Sequence, residues 1–125
     1  EPTSLTDAYS TIKVLQARCG LRRVLVVANG TTNQAAARDV FRQLHTVTSR
    51  FLKVVVEFAG WVPHDTHVEM AVMRQVPFMN LYPMAPASGR VKALADALLR
   101  RQPDTGTSGF QMFWRSLLAA EERAQ

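Results

Sequence analysis

Cysteine is almost absent: Cys19 is the single one in 125 residues. That excludes an intramolecular disulfide and suits a reducing compartment. Its place near a helix end marks it as a small core residue. No apolar run exceeds five residues, Val24 to Ala28, against the roughly 20 that a membrane-spanning helix requires. The start lacks the charged-then-apolar pattern of a signal segment, so export is not expected. No Gly-x-x-x-x-Gly-Lys-Ser/Thr loop is present to cradle phosphates, and no Ser/His/Asp or Cys/His set suggests itself. His64 and His67 form a His-x-x-His pair with no third ligand beside them, which argues against a metal site. A complete catalytic site is therefore missing from the sequence. The chain starts at Glu1, not Met, and reads as a processed product or a piece of a longer protein.

What is present is the material of one α/β unit. The chain is 47% hydrophobic with a net charge of +5, and most of its cations are dispersed arginines. Such a balance is compatible with anionic partners, yet also with a solvated surface. Ser4 and Asp7 have capping-box spacing, and Leu5, Ala8, Tyr9, Ile12, Leu15 and Cys19 recur on one helical face up to Gly20. Val24 to Ala28 reads as a strand buried on both faces, as in a parallel sheet, and Asn29-Gly30 breaks it. A helix from about Asn33 to Val47 turns Ala37, Val40, Phe41 and Leu44 inward. Lys53 to Ala59 is a second strand, followed by a loop over Gly60 to Asp65. Thr66 and Glu69 have capping-box spacing again, opening a helix that ends before Pro77. Pro77 to Pro86, with three prolines, should be mostly extended. A helix from about Ser88 to Arg101 should bury Val91, Leu94, Leu98 and Leu99.

The alternation of helix and strand is that of a doubly wound, mostly parallel sheet. Two strands cannot cover their own edges, so the rest of the sheet should come from another segment or another chain. Residues 1–101 read as this part of a domain, 102–109 as a linker and 110–123 as an amphipathic helix. In that helix Phe110, Phe113, Trp114, Leu117 and Leu118 form one apolar stripe, suited to a membrane surface or to packing on its own domain. In open α/β sheets, ligands bind beyond the carboxyl ends of strands. The loops holding Asn29 and Val62-Pro63-His64-Asp65 occupy that position. The Asn29 amide has the donor and acceptor needed to read the N6 and N7 edge of adenine. The same spacing also serves a turn residue or helix cap.

Glu1-Pro2-Thr3-Ser4-Leu5-Thr6-Asp7-Ala8-Tyr9 with Ile12-Lys13-Val14-Leu15 resembles the segment after the central strand of MinD/ParA-type flagellar-number-regulating ATPases, the FlhG/FleN group. The strand ending in Asn29, the Val62-Pro63-His64-Asp65 loop and Tyr82-Pro83-Met84-Ala85-Pro86-Ala87-Ser88 match in the same order, as does the late Phe-x-x-Phe-Trp helix. The resemblance covers nearly the whole chain and corresponds to the C-terminal half of the family. It implies the P-loop NTPase fold of the deviant-Walker type, with ATP or ADP and Mg2+ bound only by the full-length protein. It implies that Asn29 contacts adenine, with Pro63, His64 and Asp65 against the base. It further implies a homodimer or higher assembly, a cytoplasmic protein held peripherally at the inner membrane by the C-terminal helix, and flagellar regulators or assembly proteins as partners, with no direct nucleic-acid contact. Lacking the phosphate loop, the chain alone should be inactive. Gly30-Thr31-Thr32 departs from the larger or basic residue common in the family after the strand Asn. The alternatives are a non-catalytic protein- or DNA-interaction module on the same fold, or another MinD/ParA-type positioning ATPase.

Overall fold

A computed structural model of the chain describes residues 2–101, 114, 117–120 and 123. Seven elements follow in order: α1 (Pro2–Cys19), β1 (Arg23–Thr31), α2 (Gln34–Phe51), β2 (Val55–Pro63), α3 (Thr66–Arg74), α4 (Phe78–Leu81) and α5 (Pro86–Arg100). The two strands pair in parallel, from Arg23 opposite Val55 to Thr31 opposite Pro63. α2 is the crossover between them. α1 packs on α2, and α5 packs on β2. This is an α/β arrangement with a parallel sheet, as the alternation of periods predicts.

Two apolar clusters hold the layers. Ile12, Leu44, Val54 and Val56 form the first, with Leu5, Ala8, Tyr9, Val24, Val26 and Phe41 packed round them. Val62, Ala87 and Leu94 form the second, with Val68, Phe78 and Val91. Val56 and Val62 are an even number of residues apart, so a regular strand would point both to one face. The register explains why they part: Val26 faces Phe58 but Val27 faces Gly60, leaving Ala59 as an extra residue. This β-bulge turns the second half of β2 over. Gly60 lies beside it at φ +151°, where a Cβ would come within 2.5 Å of the Leu94 side chain. Only glycine fits.

Several boundaries differ from the sequence reading. α1 begins at Pro2, a favoured first helical residue, so Ser4 lies inside the helix and the Ser4/Asp7 box does not form. β2 continues through Gly60 to Pro63, because the bulge absorbs a glycine that looked like a break. The helix after it is capped by Asp65, not Thr66. Pro77 to Pro86 is not mostly extended: Phe78–Leu81 makes a short helix after Pro77. β1 is not buried on both faces, since Val27 is exposed; α5 covers β2, and β1 lacks such a cover among the described residues. Val40, Leu98 and Leu99 are exposed, as is Cys19, which is not a core residue. Residues 102–113, the expected linker with Phe110 and Phe113, lie outside the described residues.

Candidate functional site

The carboxyl ends of β1 and β2 bring the two expected loops together. Asn29 lies opposite Val62, Thr31 lies opposite Pro63, and the His64 backbone N–H donates to the Thr31 carbonyl at 3.1 Å. A second register shift falls between Asn29 and Thr31. Gly30 occupies it at φ +72°, a conformation that disfavours a side chain. The glycine thus shapes the end of β1.

Asn29 is exposed. Its side chain makes no hydrogen bond among the described residues, and it caps no helix. That duty falls to Asn33, whose Oδ1 accepts from the Ala36 N–H at 2.8 Å at the start of α2. The Asn29 amide is therefore left with a donor and an acceptor facing outward. Beside it the Thr31 hydroxyl is buried with no hydrogen-bond partner among the described residues. Pro63 is half-buried and closes β2. His64 is exposed, its Nε2 3.5 Å from Glu69 Oε1.

Asp65 is different, because its carboxylate faces inward. Oδ1 accepts from the His67 backbone N–H at 3.0 Å and from His67 Nδ1–H at 2.8 Å. Oδ2 accepts from the Ala87 N–H at 2.9 Å, across 22 residues. Ala87 is the second residue of α5, whose own N-cap position is Ala85 and offers no side-chain acceptor. One carboxylate thus caps two helices, α3 locally and α5 from a distance. The Ala87 amide first, then the His67 amide and ring, hold its pKa below the ordinary 3.8. His64 and His67 turn to separate carboxylates, Glu69 and Asp65.

The remote cap has consequences the sequence reading missed. The His67 ring lies against Tyr82, with centroids 4.9 Å apart, and Ser88 Oγ donates to the Tyr82 carbonyl at 2.6 Å. The 82–88 segment is so tied to α3 and to the Pro63–Asp65 loop. A cavity of about 360 Å³ beside it is lined by His67, Tyr82, Pro83, Met84 and Pro86. Arg90 also reaches this end, its Nε donating to the Trp61 carbonyl at 3.3 Å and its guanidinium 5.3 Å from the Trp61 ring centre. The legible clue was a helix opening Ala85-Pro86-Ala87 without a local cap, which demands an acceptor from elsewhere. A larger recess, about 440 Å³, lies away from the site between α1 and α2. Its lining is apolar apart from Thr6 and Gln43.

Trp114, Leu117 and Leu118 of the expected apolar stripe are helical and exposed; Phe110 and Phe113 lie outside the described residues. No helix among the described residues is long and apolar enough to cross a membrane.

A two-stranded parallel sheet with helices packed on it is compatible with a P-loop-like α/β fold. No family model matches the chain. It is, however, 40% identical over 95 residues, 76% of its length, to Antiactivator FleN of Pseudomonas aeruginosa, a FlhG/MinD-like protein. The chain spans about a third of that relative, 34% of its length. The resemblance to flagellar number regulators of the MinD/ParA type therefore holds, and it concerns a part of such a protein.

Proposed function

We propose that the chain is the C-terminal portion of a MinD-like ATPase that regulates flagellar number and placement. It supplies the adenine side of the ATP pocket and a helix that docks on the membrane. The observation that carries this reading is the Asn29 amide, exposed and without a protein partner at the carboxyl end of the sheet. Adenine offers an amine donor and a ring-nitrogen acceptor on one edge, and an asparagine amide complements both. Pro63 and His64 stand beside Asn29 as a wall for the base, and Asp65 holds that wall by tying α3 to α5. The phosphates and Mg2+ belong with a phosphate loop elsewhere in the full-length protein. Self-association and flagellar regulators as partners are what the FleN-like resemblance suggests. The helix of Trp114, Leu117 and Leu118, with Phe110 and Phe113 completing its stripe, holds the protein peripherally at the inner membrane.

Asn29→Ala in the full-length protein tests the pocket. A buried base edge left without its partner costs about 1–3 kcal/mol, so ATP binding should weaken by roughly 5- to 150-fold. The preference for ATP over GTP should narrow as well. Unchanged affinity and selectivity in a folded variant would refute the assignment.

A further inference from the structure

The end of the sheet opposite the candidate pocket is strongly basic. The helices run against the strands, so the ends of α1, α2 and α5 meet the starts of β1 and β2 there. The Val55 N–H bonds to the Arg22 carbonyl, and Arg101 reaches Glu57 at 2.7 Å. Arg18, Arg22, Arg50, Lys53 and Arg100 are all exposed at this end and form no ion pair among the described residues. Glu57 is the acidic residue set among them. It is held by both Arg101 and Arg23, which keep its pKa below the ordinary 4.5. Asp96 lies a turn before Arg100 on α5.

Arginines in a last helical turn complement the helix macrodipole, which accounts for Arg18, Arg50 and Arg100. It does not account for Arg22 and Lys53, which lie beyond the helix ends. Large apolar side chains sit among the cations: Phe51 is 65% exposed and Leu99 is 83% exposed. Arg101 lies at this end, and Trp114, Leu117 and Leu118 follow it in the sequence. From residue 102 onward the sequence holds two arginines against three acids, so the net positive charge of the chain resides in the body. A surface helix with no net charge binds a bilayer weakly, and firm anchoring takes a second signal.

Resting on the membrane reading above, we propose that this basic end is that second signal. It binds an anionic phospholipid surface, with Arg22, Lys53 and Arg100 at the headgroups and Leu99 and Phe51 toward the acyl boundary. The terminal helix then lies in the same plane. The body docks with its nucleotide edge facing away from the bilayer.

The test uses the 125-residue chain and two vesicle compositions, pure phosphatidylcholine and phosphatidylcholine with 30% phosphatidylserine. Each cation near an anionic surface contributes a factor of roughly five. Replacing Arg22, Lys53 and Arg100 by Gln should therefore weaken binding to the anionic vesicles by about 100-fold. It should also reduce the salt dependence and leave the weaker binding to neutral vesicles unchanged. Arg22→Lys with Arg100→Lys keeps the charge and should bind as the parent chain does, which guards against an effect on folding. Binding of the Gln variant equal to the parent's on anionic vesicles overturns the proposal and leaves the helix reading standing. Trp114→Glu with Leu118→Glu should abolish binding to both vesicles. If it changes nothing while the Gln variant loses binding, the helix reading falls and the basic surface remains. Loss of duplex DNA binding in the Gln variant, with vesicle binding intact, would assign the surface to nucleic acid and overturn the proposal.

Discussion

Replacing Gly60 by alanine tests the bulge that joins the two cores. Two terms add. The backbone at φ +151° is one that side chains rarely adopt, and holding alanine there costs about 1–3 kcal/mol. The new methyl would lie 2.5 Å from Leu94 Cδ2 and 3.4 Å from Cγ. Leu94 is buried against Val62 and Ala87, so it must leave a well-packed position at about 1–3 kcal/mol. A flexible side chain gives way more cheaply than backbone, and a sum of about 3 kcal/mol is expected. Urea unfolding followed by circular dichroism reads this as a lower midpoint with an unchanged slope. Leu94→Ala alone should cost about 2–4 kcal/mol through the cavity it leaves. In that background the collision disappears, so Gly60→Ala should cost about 1–2 kcal/mol less than in the parent. A loss below about 1 kcal/mol in the parent chain, or strict additivity of the two changes, would refute this account of the bulge.

Two further outcomes follow from the site. Asp65 and Glu57 have folded-state pKa values below the ordinary 3.8 and 4.5. Their stabilisation is complete above those unfolded values and is lost as pH falls through the lowered ones. The melting temperature should therefore hold steady above about pH 5 and drop below about pH 4, with a smaller drop in Asp65→Asn; a profile flat to pH 3 would contradict it. The chain alone should not turn over ATP, because it has no phosphate cradle, and sustained phosphate release above background would sink that expectation.

Most of the architecture was legible because period is a strong signal. The 3.6-residue stripes of α1, α2 and α5 and the valine-rich cores of β1 and β2 each allow one reading. What failed depended on long-range partners. Gly60 reads as a strand end, and only Leu94 across the layer shows why glycine sits inside the strand. Thr66 and Glu69 have the spacing of a capping box, yet Asp65 caps because its second oxygen also serves Ala87, 22 residues on. Leu98 and Leu99 continue the apolar stripe of α5 past the end of the surface that could bury them. In the site, the sequence placed Asn29 and the Pro63–Asp65 loop at adjacent strand ends. It did not distinguish the outward amide of Asn29 from the inward carboxylate of Asp65, since both are ordinary turn residues.

The extra residue at Ala59 also decides which parts of the chain are free to change in length. A strand contributing to one layer can lose or gain a residue at its tip with only local loss. β2 contributes to one layer before the bulge and to the other after it. With the bulge kept, one residue added between Val56 and Val62, or one removed other than Ala59, would carry Val62 from the α5 side to the α2 side. The hop over Gly20–Arg22, by contrast, crosses no layer and can absorb such a change. Descendants of this sequence should therefore vary in length at that turn and keep β2 at a fixed count.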